Sequence, residues 1–271
     1  MHSYSLCFGF SLSPPPLNNR LDMIFRIATL NLEQNHKCWE ARRELILQQW
    51  GELGPDMLAL NEIYLPEQTG RWLQRGAVER LHMRYTLLQQ SKVGEDSHTQ
   101  AEGLLTRYPV IETANLDYRS HNCVALAARF EIDGRFLDVY VTHLIAARVE
   151  DAARQYQVGQ LREWIRTRDD ADFAVVCGDF NAAPDQPSIR LMSGAFRPTQ
   201  IQPTAFTPLQ EPAGSPSHPE WERFDRCIDY IWVTESIKVK ASGLCFNRPA
   251  PDNPALWPSD HVGVWADLEL S

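Results

Sequence analysis

The chain alternates short apolar runs, rich in strand formers, with longer segments whose apolar positions recur at helical spacing. Ile24 to Leu30 is the first strand-like run. Trp39 to Leu53 sets Leu45, Ile46, Trp50 and Leu53 on one stripe with charge on the other face, a helix that Pro55 stops. Met57-Leu58-Ala59-Leu60 reads as the next buried strand, and Gln68 to Met83 as a second helix. On that helix Arg71, Arg75, Arg80 and Arg84 recur near one-turn spacing, as either a solvated face or a phosphate-facing patch. Val124 to Phe130 and Phe136 to Thr142 are strand runs joined through Ile132-Asp133-Gly134-Arg135, and Asp-Gly favours a hairpin turn. Val149 to Arg168 predicts a long amphipathic helix with Val158, Leu161, Trp164 and Ile165 as its apolar face. Phe173 to Cys177, Cys227 to Val233 and Val262 to Leu268 complete the strands. Ser193 to Glu222 holds six prolines and no period, so it reads as a loop long enough to suggest function. Hairpins mixed with helices imply two sheets packed face to face with helices outside, in one domain spanning residues 23–271.

Composition narrows the class. With 44% hydrophobic and 23% charged residues over 271 positions, the chain can bury a large core. No apolar run approaches the roughly 18 residues a membrane span needs, so no stable membrane association is expected. The net charge of −9 argues against holding nucleic acid by bulk electrostatics. A metal-dependent nuclease survives that argument, because the ion supplies positive charge locally. Cys7, Cys38, Cys123, Cys177, Cys227 and Cys245 show no metal-like spacing, and scattered thiols of this kind fit a reducing, cytoplasmic setting. Residues 1–22 carry Ser13-Pro14-Pro15-Pro16 and a short apolar stretch with no preceding Lys or Arg. They read as a disordered extension, with Met23 as an alternative start.

Polar residues stand where the apolar runs end. Asn31 follows the first run, Asn61-Glu62 the second, and Thr142-His143 the later hairpin strand. Gly178-Asp179-Phe180-Asn181 follows Cys177, Asp229 lies in a strand run, and Ser259-Asp260-His261 opens the last. One Asn or Asp after a strand is ordinarily a turn residue. A set repeated at the same ends of several strands points instead to a rim that gathers them.

These motifs resemble the endonuclease/exonuclease/phosphatase superfamily, which includes deoxyribonuclease-I-like and abasic-site nucleases, sphingomyelinases and inositol-phosphate phosphatases. The stretches are Ala28-Thr29-Leu30-Asn31, Leu58-Ala59-Leu60-Asn61-Glu62, Glu102-Gly103-Leu104-Leu105-Thr106-Arg107-Tyr108-Pro109 and Thr142-His143-Leu144. Gly178-Asp179-Phe180-Asn181-Ala182-Ala183-Pro184, Ile228-Asp229-Tyr230-Ile231 and Ser259-Asp260-His261 follow in the family's order. The resemblance implies a four-layer α/β sandwich of two mixed β-sheets flanked by helices, and Mg²⁺- or Mn²⁺-dependent hydrolysis of a phosphoester. Glu62 is then the expected metal ligand, a hard carboxylate suited to Mg²⁺, with Asn31 supporting it and Asp260 as a further metal contact. Asp179 would orient and deprotonate water, and Asn181 would donate to the nucleophile or a phosphoryl oxygen. His261 would bind a non-bridging oxygen with Asp229 on its other nitrogen. His143 resembles the histidine that acts as an acid near the leaving group in the deoxyribonuclease and sphingomyelinase branches, and Glu102 could orient it.

Departures bear on substrate. Asn61 stands where the family commonly has Gln, and Cys227 where an arginine often precedes the Ile-Asp-Tyr run. No stretch matches the catalytic tyrosine segment of the abasic-site nucleases. Trp221, Phe224 and Trp257 lie in loops near the expected rim, as base- or lipid-stacking groups or as plain loop anchors. The expectation is a phosphodiesterase acting on nucleic acid or a related diester. The alternatives are an inositol-phosphate-type phosphomonoesterase, a sphingomyelinase-like lipid diesterase, and a catalytically dead binding module.

Overall fold

β1 (Ile24–Asn31) shows why the apolar runs are strands buried on both faces. In the computed structural model, which describes residues 24–33, 38–146, 149–200 and 227–271, Phe25 and Ile27 point into one core. The alternate residues Ala28 and Leu30 point into another. β1 lies in a six-stranded sheet with β2 (Met57–Tyr64), β3 (Thr86–Ser91), β4 (Gln100–Thr106), β11 (Ile237–Cys245) and β12 (Gly263–Leu270), in the order β11-β12-β1-β2-β4-β3. The second six-stranded sheet runs β5-β6-β7-β8-β10-β9. It comprises β5 (Glu112–Asp117), β6 (Val124–Ile132), β7 (Arg135–His143), β8 (Phe173–Asp179), β9 (Arg197–Pro198) and β10 (Asp229–Val233).

Three apolar cores separate four layers. Ile27, Met57, Ala59 and Leu104 of the first sheet meet Leu126, Val139, Val141 and Cys177 of the second in the central core. α1 (Trp39–Leu53) and α2 (Thr69–Leu81) cover the first sheet through Ile46, Leu47, Trp50 and Leu73. α3 (Asp151–Arg166) and α4 (Pro187–Ser193) cover the second through Val158, Leu161, Ile189 and Met192. This is the four-layer α/β sandwich.

Local chemistry explains the boundaries. α1 ends where Gly54 takes φ 58° and donates its N–H to Trp50 O at 2.8 Å, just before Pro55. The β6–β7 hairpin turns at Asp133 (φ 51°) and Gly134 (φ 76°), the double positive φ of the turn that Asp-Gly favours. Of the four arginines on and just after α2, all exposed, Arg80 pairs with Glu44 and lies over the Trp72 ring, which fits a solvated face. The loop expected over Ser193–Glu222 contains the two-residue strand β9, and its remainder from 201 to 222 lies outside the described residues. So do residues 1–23, and with them the expected extension and alternative start. The cysteines Cys38, Cys123, Cys177, Cys227 and Cys245 are unpaired. No helix among the described residues is long and apolar enough to cross a membrane.

Candidate active site

Parallel pairing does the gathering. β1 and β2 run parallel with Asn31 opposite Asn61, and β7 and β8 run parallel with His143 opposite Asp179. β10 returns antiparallel with Asp229 opposite Asp179. The polar strand ends of both sheets therefore meet at one rim.

The Gly178-Asp179-Phe180-Asn181 turn shows how the backbone aims these groups. Gly178 has φ 134°, and a Cβ there would lie 1.9 Å from Thr142 O, so no other residue fits. Asn181 adopts the left-handed region (φ 50°), which Asn tolerates, and donates its N–H to Asp179 Oδ1 at 2.7 Å. Phe180 anchors the turn among Tyr230 and Trp232. In β2 the register with β4 shifts between Leu60 and Ile63, and Glu62 takes φ 57° in that bulge, which re-aims its side chain.

All eight site residues expected from the sequence converge on this rim. Asn31 Nδ2 donates to Glu62 Oε1 at 3.1 Å and to Asp179 Oδ2 at 3.2 Å. Two imidazoles flank Asp179 Oδ2, with His143 Nε2 at 3.6 Å and His261 Nε2 at 3.8 Å. His143 Nε2 also lies 3.8 Å from Glu62 Oε1 and 3.2 Å from Asn181 Nδ2. Asn181 Nδ2 donates to Leu144 O at 3.0 Å. His261 Nδ1 and Asp229 Oδ2 share a hydrogen bond of 2.8 Å. Ser259 Oγ donates to Asn31 O at 2.5 Å and lies 3.2 Å from Asp260 Oδ1, so it ties the last loop to the end of β1. Glu102 Oε1 sits 3.6 Å from His143 Nδ1, behind that ring. Trp257 is half-buried beside this loop, and Trp221 and Phe224 lie outside the described residues.

Electrostatics follow from burial and crowding. Burial alone would push the His261 pKa down, but Asp229, then Asp260 and Asp179, more than offset it and raise it well above the ordinary imidazole value. Burial pushes the Asp229 carboxyl up, to about 6. One proton is therefore held between these two side chains through neutral pH. Burial likewise raises Glu62, and neighbouring Asp260 adds to it. Asp260 is itself raised by burial, with Glu33 adding to it.

Two partly buried carboxyls that disfavour their own ionised state make a donor set suited to a divalent cation, and Glu62, Asp260 and Asn31 could hold one. Asp179, Asp229 and His261 also bring one ligand-type atom each within 4.8 Å of one another. There His261 Nδ1 is already engaged by Asp229, so that trio is better described as a hydrogen-bonded acid–imidazole pair facing Asp179.

Sequence reasoning missed three buried groups. Arg42 of α1, 1% exposed, donates to Leu32 O (2.9 Å), Pro258 O (3.0 Å) and Glu33 Oε2 (3.0 Å). It thereby clamps the chain after Asn31 to the chain before Ser259. Glu33 is its partner, and Lys92 lies behind His143. The only sequence signal was a charge placed within or beside an apolar run.

A rim of carboxylates, amides and two imidazoles across a four-layer sandwich is the architecture of a phosphoester hydrolase. The sequence matches the Endonuclease/Exonuclease/phosphatase family over residues 28–261, and the chain belongs to that family. No curated protein matches it by sequence. The human Nocturnin catalytic domain with bound sulfate is similar in structure, with a TM-score of 0.70 at 23% identity over 92% of this chain and 94% of that one. D. rerio TDP2 complexed with a single-strand DNA product gives 0.73 at 16% identity, covering 92% of this chain and 100% of that one. The Bacteroides thetaiotaomicron mannosyl-6-phosphatase gives 0.72 at 16% identity, covering 90% and 99%. At these identities the likeness is one of fold.

Proposed function

We propose that the protein is a divalent-metal-dependent phosphodiesterase, a nuclease or a related diesterase, using Mg²⁺ or Mn²⁺. The observation that carries the reading is the placement of Asp179 Oδ2 between His143 Nε2 (3.6 Å) and His261 Nε2 (3.8 Å). A base set between two N–H donors matches in-line attack at phosphorus, where water loses a proton while charge grows on the phosphoryl and leaving oxygens. A cation held by Glu62, with Asn31 and Asp260 in support, would neutralise the phosphate and act as a Lewis acid. Asp179 orients the water and takes its proton, and Asn181 donates to the nucleophile or a phosphoryl oxygen. His261, kept protonated by Asp229, donates to a non-bridging oxygen. His143 gives a proton to the leaving oxygen.

A diester fits better than a multiply charged monoester. The two buried basic side chains set against the site's carboxylates, Lys92 and Arg42, are engaged with Glu102 and Glu33. The net charge of −9 points away from a grip on long duplex and towards single strands or small diesters. The solved relatives named above span a DNA product and a phosphatase.

The test is a panel of plasmid DNA, single-stranded DNA, RNA, sphingomyelin and a bis-aryl phosphodiester, with Mg²⁺, Mn²⁺ or EDTA. Asp179→Asn and His261→Ala should each lose about 10²–10⁴-fold in rate. Hydrolysis that persists in EDTA, or in both variants, overturns the reading.

A further inference from the structure

Behind His143 lies a buried ammonium group that the proposed chemistry leaves unused. Lys92 directly follows β3 and is 9% exposed, its backbone N–H donating to Gln100 O at 2.9 Å. Its Nζ sits 3.4 Å from His143 Nδ1 and 3.9 Å from Glu102 Oε1. Glu102 is fully buried, and its Oε2 accepts from Asn61 Nδ2 at 2.6 Å. Its Oε1 has no hydrogen-bond donor within ordinary distance among the described residues. Burying a lysine costs several kcal/mol unless an opposite charge offsets it. Here the offset is mutual. Burial lowers the Lys92 pKa, yet Glu102, then Glu62, bring it above the ordinary value. Burial raises that of Glu102, yet His143 and Lys92 bring it below. Both side chains remain ionised, so the Nδ1 edge of His143 rests against an ion pair.

We propose that Lys92 is a positioning residue for proton donation at the leaving oxygen, acting through Glu102 and His143. This rests on the phosphodiesterase reading above. An imidazole turns about a broad terminal torsion, and one carboxylate oxygen 3.6 Å away constrains that turn at a single point. The ammonium fixes that point: it holds the otherwise unbonded Glu102 Oε1 in place, where the carboxylate can accept the Nδ1–H of the protonated ring. Nε2, on the opposite edge, then stays directed at Asp179 and Glu62. Lys92 touches no reacting atom.

The consequence depends on the leaving group. An aryloxide departs without a proton, whereas the alkoxide of a dinucleotide needs one. Lys92→Met should lower kcat at least about tenfold on thymidylyl-thymidine with KM unchanged, and alter bis(p-nitrophenyl) phosphate hydrolysis less than about threefold. Lys92→Arg should restore most of the dinucleotide rate. Ring ¹⁵N resonances of His143 should shift in Lys92→Met and return towards wild type in Lys92→Arg. Equal losses on both substrates, or Arg no better than Met, overturn the proposal. An inactive wild-type enzyme instead overturns the phosphodiesterase reading, and the ring resonances then decide the positioning claim alone: an unmoved His143 signal in Lys92→Met refutes it.

Discussion

Asn61, in the bulge of β2 in one sheet, accepts the backbone N–H of Asp179, at the end of β8 in the other, at 2.9 Å. The same amide donates to Thr142 O at 3.0 Å and to Glu102 Oε2 at 2.6 Å. One fully buried side chain therefore sets the spacing between the strand ends that carry Glu62, Glu102, His143 and Asp179. The shorter side chain, found where the family commonly has Gln, satisfies three buried groups here. Asn61→Leu should lose about 3 kcal/mol or more in urea unfolding, because each stranded buried group costs about 1–3 kcal/mol. Asn61→Asp keeps the acceptor, loses both donors and faces Glu102 with a second carboxylate, so it should be no more stable than the Leu variant. An Asp variant as stable as wild type would remove Asn61 from this role.

Asp229 sets the alkaline limit of any step that uses the protonated His261. The folded-state pKa of His261 lies above its unfolded value near 6.5. Its contribution to stability is therefore full below about pH 6.5 and is lost as pH rises through the raised folded pKa. Activity that needs the imidazolium follows the same limb. On the acid side, Asp229 takes up a proton around its own raised value of about 6 and ceases to hold the ring. Asp229→Asn should move the alkaline limb of kcat/KM to lower pH. A limb that stays in place in this variant would show that another group sets it.

Glu62 and Asp260 are held in folded surroundings that oppose their ionisation, so a bound cation should return stability as well as activity. At a hundredfold excess over Kd, Mg²⁺ should stabilise the protein by about 2.7 kcal/mol. For a chain of this length that corresponds to a rise in Tm of roughly 5–10 °C, reversed by EDTA. Glu62→Gln removes a buried charge, so its Tm without metal should match or exceed that of wild type while the Mg²⁺ shift disappears. An undiminished shift in Glu62→Gln would place the cation elsewhere, with Asp179, Asp229 and His261 as the next donor set.

Legibility tracked burial. Strands with both faces covered, such as β1, β6, β7 and β8, stand out as apolar runs, and the Asp133-Gly134 turn declares its hairpin. The edge strands β3, β5 and β11 went unread because their exposed faces carry polar residues, as in Glu112–Asp117. β4 lies inside its sheet but is cut by Glu102-Gly103, and was legible as a motif and not as a strand. α4 is too short to show a period. The residues that meet at the rim were readable because their types and order recur as a set. Lys92, Arg42 and Glu33 belong to no such set, and only the packed structure shows each charge finding its partner.

Arg42 separates charge from position at the metal end of the site. Its guanidinium holds the carbonyls of Leu32 and Pro258, which flank Asn31 and the Ser259-Asp260-His261 segment, and it neutralises Glu33. Arg42→Met takes the guanidinium away from a carboxylate that is 2% exposed, and breaking a buried pair in this way costs about 3–5 kcal/mol. Adding Glu33→Gln removes that buried negative charge, so the double variant should regain a good part of the lost stability in urea unfolding. The carbonyls that locate Asn31 and Asp260 remain unclamped in both variants. Mg²⁺ affinity, read by titration calorimetry or by the Mg²⁺-dependent Tm shift, should therefore stay weakened in the double variant although its fold has recovered. Recovery of affinity together with stability would mean that Arg42 serves only to balance Glu33, and that Ser259 alone fixes the loop.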